Sequence, residues 1–297
     1  MTMTRQSPIN IEEKVAKFQA FRSFTLEGYD QLSISKGTLK VMNTGTTLKL
    51  VAEPGVGALS GGPLNVQYEF VEMHFHWGDF CATQDHEELK GSEHTLNGRS
   101  YPLELHMVHK NIHDESLEDA LLHENGLCVL GFMFDIVESD MPMHGLDKLN
   151  RIVKYLGQAG ATFDQDKLRE LGQKGDGVDL DVNVANFFPS RIEEYFTYKG
   201  SLTTGGYEEA VNWVVFRNPL AIKKKHLEMF QTLQNNCQEQ IKNNYRDTMP
   251  TFDRPIYYHG EELLTKEVIK AVGVLTRTNS GKIGGTIPKS IQALSER

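Results

Sequence analysis

Apolar and β-prone side chains recur along this chain in short runs, separated by turns that contain Gly and Asn. The runs are 38–51 (TLKVMNTGTTLKLV), 66–77 (VQYEFVEMHFHW), 101–109 (YPLELHMVH), 127–137 (LCVLGFMFDIV) and 211–216 (VNWVVF). Each predicts strand. Helical periodicity is rarer. Residues 146–156 carry Leu146, Leu149, Ile152, Val153 and Leu156 at helical spacing; 116–124 is a shorter pattern, and a third, introduced by Pro219, covers 223–243. The pattern predicts a sheet-dominated α+β domain with a few peripheral helices. Residues 157–186 are rich in Gly and Asp and read as a surface excursion, not a domain boundary. After about residue 259 comes a helix-like stretch, EELLTKEVIKAV, and then TRTNSGKIGGTIPKS, which reads as a mobile tail. No internal repeat or low-complexity block interrupts this order.

Composition narrows the class. The chain has 297 residues, 39% hydrophobic and 24% charged, an ordinary globular balance that allows one large domain or two small ones. A formal net charge of -9 argues against a nucleic-acid surface, because phosphate binding needs clustered Lys and Arg. The run Lys223-Lys224-Lys225 reads as a solvated helix face. The opening MTMTRQSPIN lacks the apolar core of a signal peptide, and no stretch is long enough to span a bilayer, so the expected location is cytoplasmic. Cys81, Cys128 and Cys237 are odd in number and far apart, and read as reduced thiols without a chemical role.

The chemistry concentrates in EFVEMHFHWGD. On a strand, residues i and i+2 share a face, so His74 and His76 project together while Met73, Phe75 and Trp77 project to the other side. In LELHMVH, Glu104, His106 and Val108 share one face and Leu105, Met107 and His109 the other. If the two strands are neighbours, about 5 Å apart, His106 closes a triangle with the first pair. Three neutral imidazoles and an open fourth position make a catalytic zinc site. Spacing alone leaves the alternative open, since a strand histidine is ordinarily a hydrogen-bonded core or surface residue.

A series of motifs in order resembles the α-class carbonic anhydrases: RQSPINI at 5–11, GGPL at 61–64, HFHWG at 74–78, GSEHTLNG at 91–98, ELHMVH at 104–109, YKGSLTT at 198–204, VNWVVF at 211–216 and NYRDTMPTFDRP at 244–255. The resemblance covers about residues 5–258. It implies a single domain, 1–258, around a central, mostly antiparallel twisted sheet of about ten strands, followed by a tail, 259–297. It also implies a cone-shaped cleft with Zn2+ at its base.

Carried over residue by residue, the resemblance makes His74, His76 and His106 the zinc ligands. Glu104 and Glu72 become acceptors behind the imidazoles, Glu72 standing where the family often has Gln. Thr203 holds the zinc-bound hydroxide and donates to a buried Glu93, whose acceptor-only carboxylate leaves a Thr203 lone pair for the hydroxide. His94 becomes a structural histidine in a network with Glu104 and Tyr198. The CO2 pocket is implied to comprise Val108, Leu127, Val129, Leu202, Thr203, Thr204, Val211 and Trp213. The implied activity is reversible hydration of CO2 to bicarbonate by attack of zinc-bound hydroxide, with weak esterase action, sulfonamide and small-anion inhibitors, and a monomeric state. An acatalytic relative acting as a binding module is the alternative.

The sequence departs from the family pattern in several places. Thr46 of NTGTT occupies the usual proton-shuttle histidine position, and threonine does not titrate near pH 7. Gly205-Gly206 replaces Pro-Pro after SLTT, which loosens the loop holding Thr203 and Thr204. The aromatic segment that usually precedes RQSPI has no counterpart, so one cleft wall is expected to be incomplete and a shortened product to be a further possibility. A longer acidic loop, Asp79 to Lys90, carries His86 as a substitute shuttle candidate. Tyr207 stands at a site where many secreted members form a disulfide.

Overall fold

The structure, a computed structural model, describes residues 4–80, 89–139, 141–173, 180–189 and 191–261. Cys81, His86 and the tail beyond residue 261 lie outside the described residues. The strands are β1 Asn10–Ile11, β2 Lys17–Phe18, β3 Arg22–Glu27, β4 Leu39–Asn43, β5 Leu48–Ala52, β6 Ala58–Gly62, β7 Tyr68–Trp77, β8 Thr95–Leu96, β9 Leu103–Asn111, β10 Leu127–Ile136, β11 Thr162–Phe163, β12 Tyr195–Gly200, β13 Val211–Phe216, β14 Leu220–Ile222 and β15 Tyr257–His259. The helices are α1 Leu117–Ala120, α2 His144–Ile152, α3 Gln165–Gln173 and α4 Lys224–Phe230.

Ten strands form the path β11-β4-β5-β7-β9-β10-β13-β12-β15-β2, with β3, β6 and β14 attached to it. Among the described residues, every pairing in this sheet is antiparallel except β10–β13, β10–β14 and β15–β2. The expected mostly antiparallel sheet of about ten strands is present. A separate two-stranded ribbon joins β1 to β8.

The two faces of β7 and β9 separate core from cleft. Met73, Phe75 and Trp77 join Leu105 and Met107 in the hydrophobic core, which Leu149 and Ile152 of α2 and Leu227 and Phe230 of α4 help to close. The Phe75 and Trp77 rings pack 5.1 and 5.0 Å from Phe230. Each such side chain contributes about 1.5–3 kcal/mol by leaving water, so a slip of β7 by one residue is strongly opposed.

That face is not continuous in sequence parity. Tyr68 and Phe70 are also core residues, at even positions, whereas Met73, Phe75 and Trp77 are odd. The register explains the switch: Phe70 faces His109 but Glu72 faces Val108, so Val71 is an extra, bulged residue.

Several expected elements differ. The 38–51 run is a hairpin of β4 and β5 that turns at Gly45, where φ is +84° and the amide donates to Asn43 Oδ1. The helix expected over 116–124 is the single turn α1, closed by a Ser116–Asp119 capping box. The 146–156 pattern is α2 followed by a 3-10 turn, Val153–Tyr155.

The helix expected over 223–243 ends at Phe230. Beyond it, Asn235 Oδ1 accepts the Cys237 and Glu239 amides, while Gln238 and Asn243 adopt positive φ; these local bonds compete with helix. The 157–186 excursion is more structured than expected, since β11 and α3 lie within it and Phe163, Val182 and Val184 are buried. Strands β3, β6 and β12 lie outside the five hydrophobic runs of the sequence.

Candidate metal centre

Strand pairing brings the three histidines together. His74 stands opposite His106 across β7 and β9, and His76 stands opposite Glu104. Ring centroids are 5.0 Å apart for His74 and His76, 5.3 Å for His74 and His106, and 4.5 Å for His76 and His106. One ring nitrogen from each lies within 4.8 Å of the others.

Each imidazole uses its second nitrogen on an acceptor behind it. His74 Nδ1 meets Glu72 Oε1 at 2.8 Å, His76 Nδ1 meets the Asn244 carbonyl at 2.9 Å, and His106 Nε2 meets Glu104 Oε1 at 2.8 Å. These contacts leave Nε2, Nε2 and Nδ1 for a shared ligand. His76 Nε2 is buried without a hydrogen-bond partner, an orphan that a bound cation would satisfy. Burial pushes His106 down to about 4 against the pull of Glu104, and takes His76 well below the ordinary histidine range. Both are neutral at pH 7, the state that ligation requires. Three nitrogen donors backed by oxygen acceptors fit zinc.

The groups behind the ligands are themselves fixed. Glu104, fully buried, accepts the Glu93 and His94 amides at 2.8 Å each through Oε2, while Oε1 meets His94 Nδ1 at 2.7 Å. Burial opposes ionisation of Glu104, but His94 and His106 outweigh it and hold the carboxyl well below its usual range. His94 Nε2 continues to the Tyr198 hydroxyl at 2.7 Å, which donates to Ser7 Oγ at 2.9 Å. His94, Glu104 and His106 also have metal-compatible spacing, but their facing atoms already bond to one another. Glu72, likewise, is held down to about 2: burial works against ionisation, and His74 and Lys49 overcome it.

Beside the histidines sits Glu93, 1% exposed, with Oε1 accepting the Arg246 amide at 2.8 Å. Thr203, 6% exposed, interacts with the same carboxyl and favours its ionised form, although Oε2 has no partner of regular hydrogen-bond geometry. Burial dominates and pushes Glu93 up to about 8. His74 and His76 line a cleft of about 900 Å³ together with Val108, Leu127 and Leu202.

The chain matches the family described as eukaryotic-type carbonic anhydrase over residues 1–260. It belongs to that family. Carbonic anhydrase 5B, mitochondrial, of Mus musculus is 30% identical over 263 residues, covering 85% of this chain and 73% of that protein. Carbonic anhydrase 5A, mitochondrial, of Homo sapiens is 31% identical over 265 residues, with 86% and 76% covered. Carbonic anhydrase 6 of Bos taurus is 28% identical over 257 residues, with 85% and 72% covered. The carbonic anhydrase family acts on CO2 and bicarbonate and depends on zinc.

Within this carbonic anhydrase framework the predicted site residues fall into groups. His74, His76, His106, Glu72, Glu104, His94, Tyr198, Glu93 and Thr203 form one connected cluster. Val108, Leu127, Leu202 and Thr204 line the cleft. Val129, Val211 and Trp213 are buried in the neighbouring ladder, Val129 between Val108 and Trp213, and Val211 opposite Leu127. The Trp213 ring backs His106 at 4.8 Å.

Thr46 lines the cleft; of the described histidines, those in the cleft lining are the ligand candidates His74 and His76. The glycine loop is closed by a hydrogen bond from the Leu202 amide to the Glu208 carbonyl at 3.0 Å, with Arg246 over the Tyr207 ring at 4.0 Å. No helix among the described residues is long and apolar enough to cross a membrane.

Sequence reasoning missed Asn244, Arg246 and Lys49. Both Asn244 and Arg246 stand within the 244–255 motif, yet they meet His76 and Glu93 through a backbone carbonyl and a backbone amide, while their side chains hold neighbouring segments, Asn244 at Trp77, Thr46 and Phe75 and Arg246 at Gln6 and Ser7. Lys49 had a signal, since it shares parity with Thr47 and Val51 at the end of a strand run, but its partner strand was unknown.

Proposed function

We propose that this chain is a zinc metalloenzyme that hydrates CO2 reversibly to bicarbonate and a proton, with His74, His76 and His106 holding the metal. The observation that carries this reading is the convergence of three histidine ring nitrogens, one of them a buried orphan, beside an apolar wall. When bound, zinc supplies Lewis acidity and brings a coordinated water to a pKa of about 7, a magnitude known for carbonic anhydrase itself.

The chain's own residues complete the chemistry. Glu72, the Asn244 carbonyl and Glu104 set which nitrogen each histidine presents. Thr203 donates to Glu93 and turns a lone pair toward the reacting oxygen. A cation at the histidines favours the Glu93 carboxylate, because His76 and His106 Nδ1 lie 3.4 and 3.8 Å from its oxygens. Val108, Leu127 and Leu202 offer an apolar surface to a small linear substrate.

Proton release is the slow step in this proposal. A donor of pKa about 7 and reprotonation at about 10¹⁰ M⁻¹s⁻¹ give unaided release on the order of 10³ s⁻¹. The figure known for carbonic anhydrase is about 10⁶ s⁻¹. With Thr46 at the cleft, an external buffer must carry the proton. Stopped-flow CO2 hydration with metal analysis on the same sample tests the whole reading. One zinc per chain and measurable hydration support it; substoichiometric zinc without hydration favours a binding module.

A further inference from the structure

Two of the three candidate ligands are backed by carboxylates, and each carboxylate has its own source of compensating charge or donors. Behind His106, Glu104 receives two backbone amides and the His94 ring. Behind His74, Glu72 is paired with Lys49: Nζ lies 2.6 Å from Oε2, while Oε1 lies 2.8 Å from His74 Nδ1. The sheet builds this arrangement, because Lys49 on β5 stands directly opposite His74 on β7. Lys49, Glu72 and His74 all line the cleft.

A carboxylate only accepts, so its two oxygens must be placed by their donors. His74 bonds one oxygen of Glu72, and the Lys49 ammonium forms an ion pair with the other, a buried oxygen that has no hydrogen-bond partner of regular geometry. Glu72 is 9% exposed. Without the ammonium, its charge is left in poor solvent with one fewer partner, and turning toward water removes the acceptor from His74.

We infer that Lys49 is a positioning residue for the metal site, acting through Glu72 to fix His74 with Nε2 toward the metal. This rests on the reading of His74, His76 and His106 as zinc ligands. Acceptors directly behind metal-bound histidines change metal affinity by about 10–100-fold when lost. Lys49 acts one contact further out, so its effect belongs near the lower end.

The experiment follows zinc transfer from the full chain to a chromophoric chelator, with thermal melts of the metal-free proteins alongside. Lys49→Met should release zinc about 10-fold faster than the unmodified chain, and Lys49→Arg should remain within about 3-fold of it. The double variant Lys49→Met/Glu72→Gln should also return to within about 3-fold, because a neutral amide accepts from His74 without a counter-charge. Metal-free melts should be alike across the set. If Lys49→Met does not fold, Lys49→Gln provides the same comparison.

Release from Lys49→Met, or from Lys49→Gln in its place, at the unmodified rate overturns the inference. So does a double variant as fast as the single one, which would place the effect in packing instead of in Glu72. An unmodified chain that holds no stoichiometric zinc overturns the ligand assignment itself.

Discussion

His74 lies directly opposite His106 in the β7–β9 ladder, and that register depends on the bulge at Val71. Continuing the register of Tyr68–Phe70 without the bulge would set Met73 against His106 and turn the His74 side chain into the core. The extra residue therefore lets one strand contribute Phe70 and Phe75 to the core and His74 and His76 to the cleft.

Because the site needs both strands, His106→Ala removes one of three donors and leaves a gap in a buried wall. The expected result is loss of most zinc and nearly all hydration activity. Metal analysis and stopped-flow assay on the same preparation check it; full zinc with full turnover would reject the ligand assignment.

Thr203 is expected to matter more for orientation than for metal retention. Thr203→Val removes the hydroxyl that interacts with Glu93 and should lower kcat/KM by about 10²-fold, the scale of losing an orienting hydrogen-bonding group. An aromatic sulfonamide should bind the unmodified enzyme and bind the variant more weakly, while zinc content stays near one. Unchanged sulfonamide affinity would remove Thr203 from this role.

Turnover should rise steeply as imidazole buffer is added. Thr46→His should recover much of the rate in weak buffer and leave kcat/KM for CO2 hydration nearly unchanged, since proton export follows bond formation. Buffer-independent turnover in the unmodified chain would refute the missing-shuttle proposal.

His109 gives a pH signature away from the cleft. It is fully buried, with Nδ1 at 3.2 Å from the Cys128 carbonyl and Nε2 at 2.5 Å from the Tyr29 hydroxyl. Burial pushes its pKa down to about 4. The unfolded chain titrates near 6.5, so between the two values it binds more protons than the folded chain. Stability therefore falls as pH drops from about 6.5 to about 4, by roughly 3 kcal/mol from this group once both are protonated. Urea unfolding of the metal-free protein across this window should show a shallower slope for His109→Asn. An unchanged slope would refute the assignment.

The sequence by itself determined the side-chain alternation that puts His74 with His76, and His106 with Glu104, because a strand's period of two is local. It also carried the family motifs and the Thr46 departure. Only the tertiary structure decided that β7 and β9 are neighbours, that Val71 shifts their register, and that Lys49 reaches Glu72. The same holds for Asn244 and Arg246, which are distant in sequence from the histidines and meet His76 and Glu93 through a backbone carbonyl and a backbone amide. Pairing and register depend on which apolar faces can be buried together across the whole chain, a condition that no short stretch contains.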